Sequence, residues 1–264
     1  MRKFSTKQKV ALGVVLAGMT AVPAVASHSW GGYHWARSGG ELTVPVGDNV
    51  NSVWDGYLNT AIADWNKSTV INSPKAVGSA GDPKRCNPVA GTIQVCNALY
   101  GQRGWLGIAS IWLSNGHICH GTNKLNDTYF NMARYNTPTW RQLVTCQEVG
   151  HDYGLAHQDE DFNTDNTNSC MDYTNLPAGN EHPDAHDYEQ LLSIYNHLES
   201  GAAIGGGRGA SGAASGDDPS DWGRAIHFDR QGRPDYFEMD LGNGQRKVTH
   251  VLWAVGEGPR NFRH

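Results

Sequence analysis

The sequence predicts a mixed α/β (α+β) protein, with a twisted sheet, one central helix, one closing helix and a small β-rich appendage. Three observations predict it. A capped stretch with helical periodicity runs from Asn136 to Gly154. Short alternating or apolar runs bounded by Gly, Pro and Asn precede it. A Gly/Ala/Ser-rich tract at 201–216 then separates the closing helix from further strand-like sequence ending near Val255.

The chain opens with Arg2, Lys3, Lys7 and Lys9, followed by a broken apolar run from Val10 to Val25 and the small-residue triplet Ala24-Val25-Ala26. That order is the pattern of a secretory signal peptide, expected at 1–26, and the apolar run is too short for a membrane span. Removing those four cations moves the formal charge from −5 to −9. A mildly acidic exported chain gives no support for nucleic-acid binding, and no later segment is apolar enough to hold a membrane. About 238 residues remain, enough for one substantial domain at 27–200, a linker at 201–216 and the appendage at 217–264. The exported protein is expected to be a monomer.

Within the domain, His34–Arg37 and Leu42–Val46 read as short strands. Asn51–Ser68 reads as a helix, because Val53, Trp54, Leu58, Ile62 and Trp65 fall at helical spacing. Thr69–Ile71 begins another strand, and Pro74–Pro88 has loop composition. Thr92–Cys96 and the more apolar Trp105–Leu113 are strands; His117–His120 could bind a second metal, but without a recognisable partner pair a loop of solvated histidines is the default. Pro183–Leu198 is the closing helix, its first turn carrying Asp184 and Asp187 where the helix dipole favours them, with His182 and His186 facing solvent. Beyond the linker, Trp222–Val255 alternates as three strands, with hairpin turns at Gln231-Gly232 and Asn243-Gly244.

The central helix carries the chemistry. Thr137 can cap it, Pro138 suits its first turn, and Gly154 can end it in the left-handed conformation. Gln147 and His151 lie four apart on one face, a spacing that lets two side chains grip one ion. The turn at Gly154 brings His157 back toward that face. Glu148, beside the first ligand position, is placed to accept a proton from water activated by a metal.

Glu148, His151, Gly154 and His157 fall on the HExxHxxGxxH pattern, so this stretch resembles the metzincin zinc peptidases. Gln147 stands where that family has histidine. The variant QExxHxxGxxH is that of gametolysin-like peptidases, and a neutral amide oxygen is a weaker zinc ligand than an imidazole. Ser169-Cys170-Met171-Asp172-Tyr173 is similar to the methionine turn of the same clan. The resemblance spans residues 30–200, although only 147–173 carry specific motif residues. It implies a metzincin-like sheet, a protein or peptide substrate, and zinc held by Gln147, His151 and His157, with copper as the alternative ion. It further implies Glu148 as general base, Met171 as an apolar floor, Tyr173 as a catalytic partner, and a strand near Trp105–Leu113 as the cleft edge where extended substrate would pair.

All five cysteines lie in the exported part, where disulfides form, and the odd count leaves one unpaired. Many pairings are open; Cys86 with Cys96 and Cys146 with Cys170 are favoured, leaving Cys119. Asp159–Asp165 alternates oxygen-bearing residues in the manner of a calcium loop. Position six is Thr164 and position twelve Cys170, so a solvated acidic loop is the default. Asp159 is also a candidate to orient a ligand or to replace Gln147. The functional reading is a secreted metal-dependent endopeptidase; the alternative is a non-catalytic metal-binding or adhesion protein on a peptidase scaffold.

Overall fold

The computed structural model describes residues 28–162, 168–199 and 216–259. The expected signal peptide, all of the expected linker except Gly216, and the second half of the acidic loop lie outside them. Strands β1 (His34–Trp35), β2 (Val46–Asn49), β3 (Lys75–Val77), β4 (Ile93–Ala98), β5 (Trp105–Ser114) and β6 (His117–Asn126) come before the central helix. Helices α1 (Asp55–Trp65), α2 (Asp127–Phe130), α3 (Pro138–Asp152) and α4 (Ala185–Ile194) follow the same chain order, and β7 (Arg224–Phe228), β8 (Pro234–Gly242) and β9 (Gln245–Trp253) close it. The architecture is the mixed α+β one expected, a twisted sheet with few helices.

The sheet runs β3-β2-β4-β6-β5-β9-β8-β7, with β1 pairing the start of β6. The first four strands to the β6 side are parallel, and β5 reverses direction against β6. The three C-terminal strands are those expected, and they continue this sheet. β9 pairs β5 antiparallel from Trp105↔Trp253 to Ser114↔Gln245. The expectation that Trp105–Leu113 offers an open edge to substrate is therefore corrected, because β9 takes up its free hydrogen-bonding groups. Two apolar layers anchor the join. Tyr236, Val248 and Leu252 enter the main core, while Trp105, Ile108, Trp222, Phe237, Val251 and Trp253 form a second cluster on the other side. Alternation along β9 divides its side chains between the two faces.

Other sequence expectations shift by a few residues for local reasons. Leu42 and Ile71 make only one bridge, and pairing begins instead at Val46 and Lys75, so part of the expected loop is strand. His117–His120 is the start of β6 rather than a loop, and His120 is buried. Its histidines and glycine carry little strand propensity, and the strand exists because β1, β4 and β5 supply partners on both sides.

The ends of α3 form as its sequence dictates. Thr137 Oγ1 accepts a hydrogen bond from Trp140 N at 3.3 Å, Pro138 occupies the first turn, and Gly154 adopts φ +88° just after the helix. Every residue from Trp140 to Asp152 is buried, so this helix has no solvent face. Two glycines let the sheet approach it. A Cβ on Gly107 of β5 would lie 2.5 Å from Glu148 Oε1, and one on Gly121 of β6 would lie 2.8 Å from Asp152 Cγ. On its opposite side, a Cβ at Gly150 would lie 2.5 Å from Met171 Sδ and 2.6 Å from the Trp65 ring. Met171 is thus packed beneath the helix as an apolar floor.

Both favoured disulfides are present, and Cys119 is free and buried. Cys146–Cys170 joins α3 to the turn carrying Met171 across a separation of 24 residues. Loop-closure entropy for such a loop amounts to about 3 kcal/mol. Replacing both cysteines by serine is expected to lower unfolding free energy by about that amount, read from urea unfolding as a lower midpoint, with a larger m-value because the uncrosslinked unfolded chain exposes more surface. A loss below about 1 kcal/mol would contradict this role.

Candidate metal centre

Four motif side chains come together, each with a bare atom. Gln147, Glu148 and His151 are 0% exposed and His157 is 3% exposed. Gln147 Oε1, Glu148 Oε1, His151 Nε2 and His157 Nε2 are all buried without a hydrogen-bond partner. Each such atom costs about 1–3 kcal/mol if left unsatisfied. Four of them, contributed by adjacent turns of one motif, offer donor atoms that a cation could engage.

The remaining atoms of these side chains are held by hydrogen bonds that fix their orientation. His151 Nδ1 lies 2.9 Å from Leu155 O, and His157 Nδ1 lies 3.1 Å from Tyr236 Oη. A proton on His151 Nδ1, donated to that carbonyl, leaves Nε2 as the lone-pair face. Gln147 Nε2 donates to Cys170 O at 3.0 Å and to Asp172 O at 3.2 Å. The amide thereby straps α3 to the methionine turn while leaving Oε1 available. Tyr173 also reaches the site: its ring lies over His157 with centroids 3.8 Å apart, and its hydroxyl donates to Asp235 Oδ2 at 2.7 Å.

A histidine that motif reasoning missed completes the group. His250, in the middle of β9, is fully buried, and one donor atom from each of His151, His157 and His250 lies within 4.8 Å of the others. Its Nδ1 sits 3.2 Å from Glu148 Oε2 and its Nε2 3.1 Å from Tyr173 Oη. The sequence does hold one signal. His250 occupies the alternate position between Val248 and Leu252, both of which enter the core beside α3.

Burial sets the electrostatics of the group. Desolvation pushes the Glu148 carboxyl well above the usual carboxylate range. It pushes His151 and His157 well below the usual imidazole range, helped by the neighbouring histidines, and His250 down to about 3. Burial alone thus favours the neutral forms of Glu148 and His250 and keeps the imidazoles in the deprotonated form that a metal requires, whereas a cation beside Glu148 would favour its carboxylate. Desolvation, then Asp235, raises the Tyr173 phenol, so it stays a donor.

Asp159 does not join this group. Its carboxylate faces Arg230 Nη2 at 3.8 Å and accepts from Asp161 N at 2.9 Å, while Asp161 pairs with Arg230 at 3.3 Å. Arg230 thus supplies positive charge where the acidic loop was expected to be solvated or to hold calcium; residues 163–165 of that loop are outside the described residues. A cavity of about 240 Å³, lined by Trp30, Tyr33, Glu160, Ile226, His227 and Tyr236, opens beside the histidines. Trp30 and Tyr236 form its inner wall, with ring centroids 5.5 and 6.2 Å from His151.

The chain is similar to high choriolytic enzyme 1, a hatching enzyme zinc-protease from the medaka fish Oryzias latipes, at 15% identity and a TM-score of 0.35, over 62% of this chain and 94% of that one. No protein-family model and no curated protein matches the sequence. Among the described residues, no helix is long and apolar enough to cross a membrane.

Proposed function

We propose that this protein is a secreted metal-dependent endopeptidase that binds zinc at His151, His157 and a third donor beside Glu148. The observation that carries the reading is the set of four bare, buried atoms on Gln147, Glu148, His151 and His157. Nitrogen donors with an amide or carboxylate oxygen suit zinc, with copper as the competing ion. Export is supported by the basic-then-apolar N-terminal pattern and by the two disulfides.

When bound, the ion supplies Lewis acidity, lowering the pKa of water to roughly 7 and favouring negative charge on a polarised carbonyl oxygen. The residues of the chain do the rest. Glu148 takes a proton from the attacking water and delivers it to the departing amine. The Tyr173 hydroxyl, which donates to Asp235 Oδ2 in this arrangement, would serve the developing oxyanion only by turning its single proton away from that carboxylate. Met171 and Gly150 pack so closely that the helical turn carrying His151 cannot sag away from the bend carrying His157. His250 is the better third donor in the closed arrangement, since imidazole binds zinc more strongly than an amide does. β9 covers β5 and carries His250, so His250 and Gln147 Oε1 are the two side chains that would supply the third donor.

The complete burial of the group supports one alternative, a closed metal centre that stabilises a binding protein without catalysis. Cleavage of a denatured protein substrate separates the two. The purified protein is expected to cleave it, to stop when a chelator strips the metal, and to recover when Zn2+ is returned. Zinc retained with no cleavage under any of these conditions would favour the closed binding protein.

A further inference from the structure

A second cluster of side chains that could hold a metal ion includes His34, His197 and Glu199. His34 is on β1, and His117, its register partner, opens β6. His197 and Glu199 follow α4, and a backbone bond from Glu199 N to Arg37 O at 2.9 Å pins that segment against the end of β1. The Nε2 atoms of His34, His117 and His197 lie 2.8, 2.6 and 3.5 Å from a single oxygen, Glu199 Oε1. Three imidazoles thus aim the same ring atom at one carboxylate. The rings pack edge to face, His34 with His117 at 5.1 Å and His34 with His197 at 5.0 Å between centroids.

Hydrogen bonding leaves one oxygen of this cluster without a partner. His34 Nδ1 lies 2.9 Å from Gly32 O, and its Nε2 lies 2.8 Å from Glu199 Oε1. The second carboxylate oxygen, Glu199 Oε2, is buried with no partner. One donor atom from each of His34, His197 and Glu199 lies within 4.8 Å of the others, and His117 Nε2 adds a further nitrogen 2.6 Å from Glu199 Oε1. A cation among these atoms would engage the bare oxygen and the three ring nitrogens together.

We propose that His34, His117, His197 and Glu199 form a second site for a transition-metal ion, Zn2+ first and Cu2+ next, separate from the one at His151. Three nitrogens and one carboxylate exclude calcium and magnesium, which take oxygen ligands. With four protein donors the site is closed, which is the structural rather than the catalytic form. What it fastens follows from its neighbours. Trp35, next to His34, donates from Nε1 to Asp152 O at 2.7 Å, and Tyr195 donates from its hydroxyl to Tyr153 O at 2.9 Å. An ion bridging β1, β6 and the segment after α4 would lock the closing helix under the end of α3.

The test is a Zn2+ titration of metal-stripped protein against a chromophoric chelator, comparing wild type with the double variant His117→Ala/His197→Ala. Both side chains are partly exposed, at 37% and 48%, so the variant is expected to fold, as circular dichroism would verify. The expected result is the loss of one bound equivalent, with whatever is held at His151 and His157 unchanged. In Co2+-loaded protein the same substitution removes one visible absorption component. Equal zinc stoichiometry in the two proteins would overturn the proposal, whether or not the centre at His151 proves catalytic.

Discussion

Glu148→Gln and Glu148→Ala are each expected to lower cleavage of a denatured protein substrate by at least roughly 10²–10⁴-fold, the range associated with a positioned acid–base group. Zinc content should stay near that of wild type. The reason is the division of labour at the site: the imidazoles hold, and the carboxyl moves the proton. Glu148 Oε2 is engaged by His250 Nδ1 while Oε1 is bare, so the carboxyl is anchored by one oxygen and free at the other. The glutamine variant preserves the shape and a hydrogen bond to His250, which guards against loss of activity through collapse of the packing. Residual cleavage equal to wild type in both variants would remove Glu148 from the mechanism. Cleavage lost together with zinc would instead make it a structural partner of the ligands.

His250→Ala is expected to weaken zinc binding by roughly 10–100-fold or more, the loss that follows even removal of a supporting partner at a metal site. Gln147→Ala should cost less, because its amide is spent on the carbonyls of Cys170 and Asp172 and offers only one neutral oxygen. Competition titrations with a chromophoric chelator read both, with thermal unfolding as the control for folding. The reverse order, Gln147→Ala more damaging than His250→Ala, would make the helical amide the third donor and leave the β9 imidazole as a cover. The comparison also bears on the departure of this chain from the metzincin pattern. A histidine missing from the helix is matched by one arriving from a strand far along the chain.

Much of the centre was legible because its parts are local. Thr137, Pro138 and Gly154 fix where α3 begins and ends, and the spacing from Gln147 to His157 follows from one helix and one turn. The disulfide pairs were legible for similar reasons, Cys86 with Cys96 closing a short local loop and Cys146 with Cys170 flanking the candidate site. Strand boundaries were less legible. His117-Ile118-Cys119-His120 has the composition of a loop, yet it is held between β1 and β5. Nothing in four residues reports a partner contributed by sequence elsewhere.

By itself, the sequence determined the helical turn, the bend after it and the neighbouring placement of Gln147, Glu148, His151 and His157. These depend on backbone periodicity and on caps whose residues are neighbours in the chain. Only the tertiary structure decided that β9 would lie along β5, carry His250 to the metal centre and close the expected substrate edge. The same is true of the His34, His117, His197 and Glu199 cluster, assembled from three segments. Sheet pairing between distant strands is selected by packing on both faces, and that free energy exists only once the layers have met.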